Sequence, residues 1–238
     1  MGELGPRSAS GILEFRQYRA RRGRRADMVQ VFDSKTIDAL EDAGSEVLGQ
    51  FIDLDLPHGW VLLRGWRDYA DREAGSGRFY GGDLWRGHAA EFNATLSDCS
   101  NVRVLTPITG LSMVLPSAQR PGLGATPQLT DAQGRVLLAT IWRRRRGGDL
   151  ASWFGAHVMP TLESAGAELV GAYVSDPRPN NVPRRPVVEG ESAAVTFAWT
   201  QSAAASEHLV AVLPEHVADL DSAPEHHRLL PTPRSWLR

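Results

Sequence analysis

The spacing of hydrophobic positions along this chain changes period several times. From Ile12 to Tyr18 it alternates, with Leu13, Phe15 and Gln17 on one face and Ile12, Glu14, Arg16 and Tyr18 on the other. That is the spacing of a strand. After the turn ARRGRR it lengthens to a helical period, from about Ala26 to Ala43, with Met28, Val31, Phe32, Ile37 and Leu40 on the apolar side. Gly44 stands where a left-handed residue ends a helix, and alternation resumes over Glu46–Leu54. LPHG is a turn, and Trp60–Trp66 reads as a third strand. A short helix is predicted over Asp68–Ala74, a break at SGRFYGG, and a full helix over about Asp83–Leu96 with Asp83 as its cap. Asn101–Pro107 is a fourth strand. The order β-α-β-β-α-β is that of a ferredoxin-like module.

The pattern then returns. LEDAGSEVLGQF (Leu40–Phe51) is echoed by LESAGAELVGAY (Leu162–Tyr173) at a constant offset of 122 positions. A match of this length in register marks one structural unit used twice. Gly49 and Gly171, poor strand formers at equivalent places, predict a bulge or a close approach in both halves. In the second half the predicted elements are a strand over Arg135–Trp142, the turn RRRRGG, a helix over Leu150–Ala165 and a strand over Glu168–Val174. A proline-rich connection, Asp176–Glu191, leads to a strand over Ala194–Thr200, a helix over Ser206–Leu220 broken at Pro214, and a last strand over His227–Pro231. The expected organisation is a flexible tail (1–10), a first module (11–108), a linker rich in Gly, Pro and small polar residues (109–133), and a second module (134–238). The expected fold is α+β. A ferredoxin-like sheet carries helices on one face only, and two copies can cover each other's bare face as an intramolecular dimeric α/β-barrel.

With 238 residues, 42% of them hydrophobic, the chain can bury a sizeable core. Its net charge of −2 disfavours a general nucleic-acid partner. Cys99 is the single cysteine, so no internal disulfide or multi-cysteine metal site can form, which fits a reducing, cytoplasmic setting. No apolar run approaches a membrane span, and MGELGPRSASG lacks the apolar core of a secretory signal. Arginine far outnumbers lysine, as is compatible with a bacterial source.

ILEFRQYRARRGRR, VLGQFIDLDLPHGWVLLRGW and FYGGDLWRGHAAEFNATLSDCSNVRVL in the first half, with PNNVPRRPVVEGE and LLPTPRS in the second, resemble the NIPSNAP family. The resemblance spans nearly the whole chain and implies the tandem dimeric α/β-barrel fold. It implies little chemistry. Bacterial members are mostly uncharacterised, and the mitochondrial adaptor roles of animal relatives need a presequence of a kind this chain lacks.

Candidate chemistry concentrates in the first half. On a helix, Trp85, His88, Phe92 and Leu96 share one stripe, so His88 can line a cavity as a base or as a ligand to a metal or haem iron, or can be a packed core histidine. Glu14, Arg16 and Tyr18 share a strand face, and Arg64 interrupts the strand WVLLRGW. Together they can orient an anionic ligand, or form a salt-bridged network. Their counterparts are Leu138, Thr140 and Trp142, so the polar set exists in one half only. The arginine-rich turns precede helix N-termini and read as solvated faces or anion sites. Asn180, Asn181, Arg184 and Arg185 lie in a long loop of the size of a binding lid. His226 and His227 would point to opposite faces of a strand, which argues against joint metal binding.

No G-x-S-x-G, Walker or H-E-x-x-H pattern is present, and GLGATP lacks the third glycine of a dinucleotide site. The first expectation is therefore a binding protein for a small anionic or aromatic ligand, or for a protein, with no resident cofactor or metal. It would be a monomer by internal pseudo-dimerisation, or a homo-oligomer. The alternative is a cofactor-independent or haem-linked oxygenase, by analogy with other α/β-barrel families.

Overall fold

The computed structural model describes residues 10–113, 120–122, 134–145, 149–213 and 219–237. The alternating run after Gly11 forms β1 (Ile12–Ala20), followed by α1 (Arg25–Val31), a π-helical turn (Phe32–Thr36), α2 (Ile37–Asp42), β2 (Glu46–Asp53) and β3 (Gly59–Trp66). Then come α3 (Tyr69–Gly81), α4 (Asp83–Thr95) and β4 (Leu96–Pro107). The second half comprises β5 (Val136–Arg143), α5 (Leu150–His157), α6 (Met159–Ser164), β6 (Glu168–Ser175), β7 (Ala193–Thr200), α7 (Ala203–Val212) and β8 (Glu225–Pro231).

The eight strands close into an antiparallel barrel in the order β1-β3-β2-β8-β5-β7-β6-β4. The two halves are zipped by short ladders, Phe51–Asp53 against Leu229–Pro231 and Leu105–Pro107 against Tyr173–Ser175. Closure leaves the barrel strands without a free sheet edge. The pleat divides each strand between two environments. Leu13 and Phe15 point into the barrel, where they meet Leu137, Ala139 and Phe197, and the Phe15 and Phe197 rings pack edge-on at 5.4 Å. Tyr18 and Leu62 point outward to a core beneath α1–α4, and Leu138 and Trp142 to one beneath α5–α7.

Gly44 and Gly166 both adopt positive φ, 93° and 66°, ending their helices as the pattern requires. The ladder slips between Val47 and Gly49 and between Leu169 and Gly171, the bulge expected at both glycines. A Cβ on Gly49 would stand 2.7 Å from the Phe51 ring, and one on Gly171 would stand 2.8 Å from Met113 and 3.0 Å from Tyr173. Each glycine thus clears space for an aromatic ring two residues on. The chain following the other half's last strand also crosses there: Gln50 donates to Ser235 Oγ, and Ala172 to the Leu111 carbonyl.

Several expected elements differ. The helix expected over Ala26–Ala43 widens into the π-helical turn between α1 and α2, and the one over Leu150–Ala165 is interrupted at Val158. SGRFYGG is no break. It lies largely within α3, which starts from an Asp68 cap accepting from the Asp71 N–H at 2.8 Å. Gly75 lets this helix sit on Trp66, whose ring would be 2.2 Å from an added Cβ, and the buried Phe79 holds its last turn. Packing therefore overrides the weak helix propensity of its glycines. Asp83 is not a cap: Gly82 occupies that position, and the Asp83 carboxylate pairs with Arg86 at 2.5 Å. β4 begins five residues early, at Leu96. Part of the expected linker is core: Met113 is buried in the barrel, and Arg120 stacks on Trp236 at 4.5 Å. The tail apart from Ser10, most of the linker, Arg146, Gly147 and Gly148 of the arginine turn, and the break at Pro214 lie outside the described residues. Among the described residues no helix is long and apolar enough to cross a membrane.

Candidate functional site

β1 and β3 pair in a register that sets Glu14 opposite Arg64 and Arg16 opposite Leu62. On the outward face of this pair, beneath α3 and α4, the strand side chains meet a third arginine. Glu14 Oε2 accepts from Arg16 at 3.0 Å and from Arg64 Nε at 2.7 Å, while its Oε1 accepts from Arg72 of α3 at 2.8 Å. Glu14 and all three arginines are at most 3% exposed. Burial alone would raise the Glu14 carboxyl, but Arg64, Arg16 and Arg72 hold it well below the usual carboxylate range. Glu14 is the only carboxylate paired with these arginines among the described residues. Three buried cations against one anion leave two positive charges without a counter-charge, and a buried charge is expensive unless it is paired.

Arg16 also donates to the Tyr18 hydroxyl at 2.7 Å. Tyr18 is buried, which lifts its phenol to about 12 despite Arg16. Tyr80, near the end of α3, shifts the other way: burial would raise it, but Arg16, Arg64 and Arg185 lower its phenol. The two rings face a cavity of about 50 Å³ walled also by Phe32, Phe79, Trp85 and Phe92. Phe79, Tyr80, Trp85 and Phe92 form a chain of edge and tilted ring contacts at 5.0 to 5.9 Å. The loop between β6 and β7 covers the opening with Arg185 and Pro186. The Arg185 guanidinium lies 3.6 Å above the Tyr80 ring and 5.3 Å from Trp85. That loop is tied to the charge cluster, because Arg72 donates to Asn180 at 3.1 Å and to Asn181 at 2.5 Å.

Of the residues singled out in the sequence, Arg16, Tyr18, Arg64 and Trp85 line this cavity, and Glu14 lies behind them as the anion of the cluster. His88 does not. Its side chain is 41% exposed and turns to Glu91 Oε2 at 3.3 Å and Lys35 Nζ at 3.5 Å. Trp85, Phe92 and Leu96 fill the sheet-facing side of α4, and His88 falls at its edge beside the π-helical turn. Contrary to the expectation, His88 does not point into this cavity and cannot reach a group held there. Among the described residues no histidine lines the cavity, and about 50 Å³ is far below the several hundred Å³ of a cofactor pocket, so these residues do not fit haem. Sequence reading missed Arg72 and Tyr80. Both sit on the part of the chain read as a short helix and a break, and only their helical spacing of eight residues would have put them on one face. His226 and His227 do face opposite sides: His226 approaches Thr140, whereas His227 is buried between Asp53 and Glu225, each at 2.8 Å.

No family model and no curated protein matches this chain. Solved structures do. A protein from Lactobacillus acidophilus NCFM provisionally named a monooxygenase aligns over 93% of this chain and 94% of its own, at 11% identity and a TM-score of 0.56. An anthrone oxidase-like protein aligns over 95% and 92%, at 10% identity and a TM-score of 0.55. A NIPSNAP-like domain protein from Burkholderia xenovorans aligns over 45% of this chain and 94% of its own, at 21% identity and a TM-score of 0.41. At these identities the full-length similarities establish a shared fold: an eight-stranded antiparallel α/β-barrel of ferredoxin-like character.

Proposed function

We propose that the first half of this barrel binds a small aromatic anion between the outer face of β1–β3 and helices α3 and α4. The observation that carries the reading is the buried cluster of Arg16, Arg64 and Arg72 around the lone carboxylate of Glu14, beside a cavity walled by aromatic rings. Two uncompensated cations favour an anionic guest, and guanidinium groups recognise carboxylate, phenolate or enolate oxygens by charge-assisted hydrogen bonds. Among the described residues the second half offers no equivalent. Leu138 and Ala198 pair where Glu14 and Arg64 do, and Thr140 and Thr196 pair where Arg16 and Leu62 do. The wider reading is a NIPSNAP-like protein of two ferredoxin-like modules, 11–108 and 134–238, joined by 109–133, with one site kept. Barrel closure supports a monomer, and the single Cys99 supports a reducing, cytoplasmic setting.

4-Nitrophenol tests the site, because its phenolate absorbs strongly in the visible. At a pH near its own pKa, binding beside the arginines should raise phenolate absorbance saturably. Arg64→Met should weaken binding about 10- to 100-fold, the usual worth of a hydrogen bond to a charged group. An absence of any saturable change up to millimolar protein would refute the reading.

A second reading is that the bound anion reacts as a cofactor-independent oxygenase substrate. The full-length likeness to proteins named for monooxygenase or anthrone oxidase chemistry supports it, as does Tyr80, a phenol with a lowered pKa at the cavity wall. Oxygen uptake with phenolic substrates, abolished in Tyr80→Phe, is the expected outcome. No uptake with any of them leaves binding alone.

A further inference from the structure

The aromatic cavity of about 50 Å³ is too small for a ring, since a cavity of roughly 150 Å³ is needed to hold benzene. On the far side of Tyr80 and Arg185, however, lies a groove of about 500 Å³, walled by Glu73, Ser76, Gly77 and Gly81 of α3 and by Asn181–Arg185 of the β6–β7 loop. Tyr80 and Arg185 line both spaces, so their stack is the partition between them. Arg185 is held weakly. Among the described residues its guanidinium has no carboxylate partner, and its contacts are the faces of Tyr80 and Trp85. Such cation–π contacts are individually modest at a partly exposed site. The backbone carrying it is a compact turn: the Arg185 N–H donates to the Val182 carbonyl at 2.9 Å, and Asn180 Nδ2 donates to the Arg185 carbonyl at 2.8 Å. The turn is moored at Asn180 and Asn181 to Arg72, so the side chain of Arg185 can leave while the loop stays anchored.

We propose that Arg185 is the gate and the specificity-determining residue of this site: its guanidinium must leave the Tyr80–Trp85 stack for cavity and groove to join, and an aromatic anion then takes its place between those rings. This rests on the reading of the first half as an anion site. The joined space, several hundred Å³, falls in the range of small-molecule pockets. The class selected is an aromatic ring bearing a negative oxygen. The ring replaces the guanidinium on the aromatic faces, the oxygen meets Arg16 and Arg64, and the displaced Arg185 turns into the groove, whose α3 wall offers it the Glu73 carboxylate. A neutral ring of the same size has nothing to offset the lost stack, and a small inorganic anion has nothing to displace it.

The test pairs stopped-flow binding of 4-nitrophenolate with acrylamide quenching of Trp85 fluorescence, isolated as the difference from Trp85→Phe. The proteins are wild type, Arg185→Ala and Arg185→Lys. The gate predicts that Arg185→Ala speeds both association and dissociation several-fold and raises acrylamide access to Trp85 at least twofold without ligand. Nitrobenzene should then bind the variant but not wild type. Arg185→Lys should fall between. Unchanged quenching, together with association no faster than wild type, would overturn the gate. If no protein binds nitrophenolate while Arg185→Ala still gains acrylamide access, Arg185 closes the cavity but the anion site fails, and with it the specificity assigned to Arg185.

Discussion

Replacing Glu14 by glutamine tests the charge inventory of the site most directly. The substitution keeps shape and removes the one anion among Arg16, Arg64 and Arg72, whose nitrogens lie within 3.0 Å of its oxygens. Removing one partner of a buried pair costs about 3–5 kcal/mol, because the other charge is left bare. Here three cations are left bare, so Glu14→Gln should lose at least about 3–5 kcal/mol. For a urea slope of about 2–3 kcal/mol/M, the midpoint should fall by about 1–2.5 M with the slope unchanged. Arg64→Met is the control. It leaves Glu14 paired with two arginines and removes one unneutralised charge, so it should cost less than half as much. The pH profile separates charge from shape. Because the folded Glu14 carboxyl lies well below its unfolded value, its contribution is fully present above about pH 5 and is lost on acidification. Glu14→Gln should therefore be most damaging near neutrality and approach wild type in acid. Equilibrium urea melts at several pH values measure all of this. A Glu14→Gln loss within about 1 kcal/mol of wild type, or one no larger than that of Arg64→Met, would refute the reasoning.

Three other outcomes follow from the same geometry. Burial alone would lower the ring of His227, but its hydrogen bonds to Asp53 and Glu225 raise it to about 9, so the contribution is complete below about pH 6.5 and lost as pH rises through 9. His227→Gln should remove up to about 3 kcal/mol at neutral pH and little above pH 10, read by urea melts, and a pH-independent loss would contradict it. Gly171→Ala should cost about 1–3 kcal/mol in thermal unfolding, because its Cβ meets Met113 and Tyr173, and an unchanged melting temperature would exclude that crowding. Asn181→Ala, which removes one of the two ties between Arg72 and the β6–β7 loop, should raise proteolytic cleavage within 180–190 while leaving global stability within about 1 kcal/mol.

Local alternation and helical spacing were enough to place the strands and the main helices, because the pleat and the helical turn impose their periods on any buried face. The repeat at an offset of 122 carried the matching helix stops at Gly44 and Gly166 and the matching bulges at Gly49 and Gly171, since each glycine answers a local backbone or contact requirement. Glu14, Arg16 and Tyr18 on one strand face, absent from the second half, already marked where polarity is concentrated. Tertiary structure decided the rest. Whether β2 meets β8 and β4 meets β6 depends on edges far apart in sequence. Whether α3 runs through its glycines depends on Trp66 lying beneath Gly75. His88 shares a helical stripe with Trp85 and Phe92, yet the width of the buried face left it outside, paired with Lys35 and Glu91. The proposed site gathers Glu14, Arg64, Arg72, Tyr80 and Arg185 from β1, β3, α3 and a loop of the other half. A one-dimensional pattern records which face a residue occupies. Which distant face is laid against it, and so which charges are left without partners, is decided only when the barrel closes.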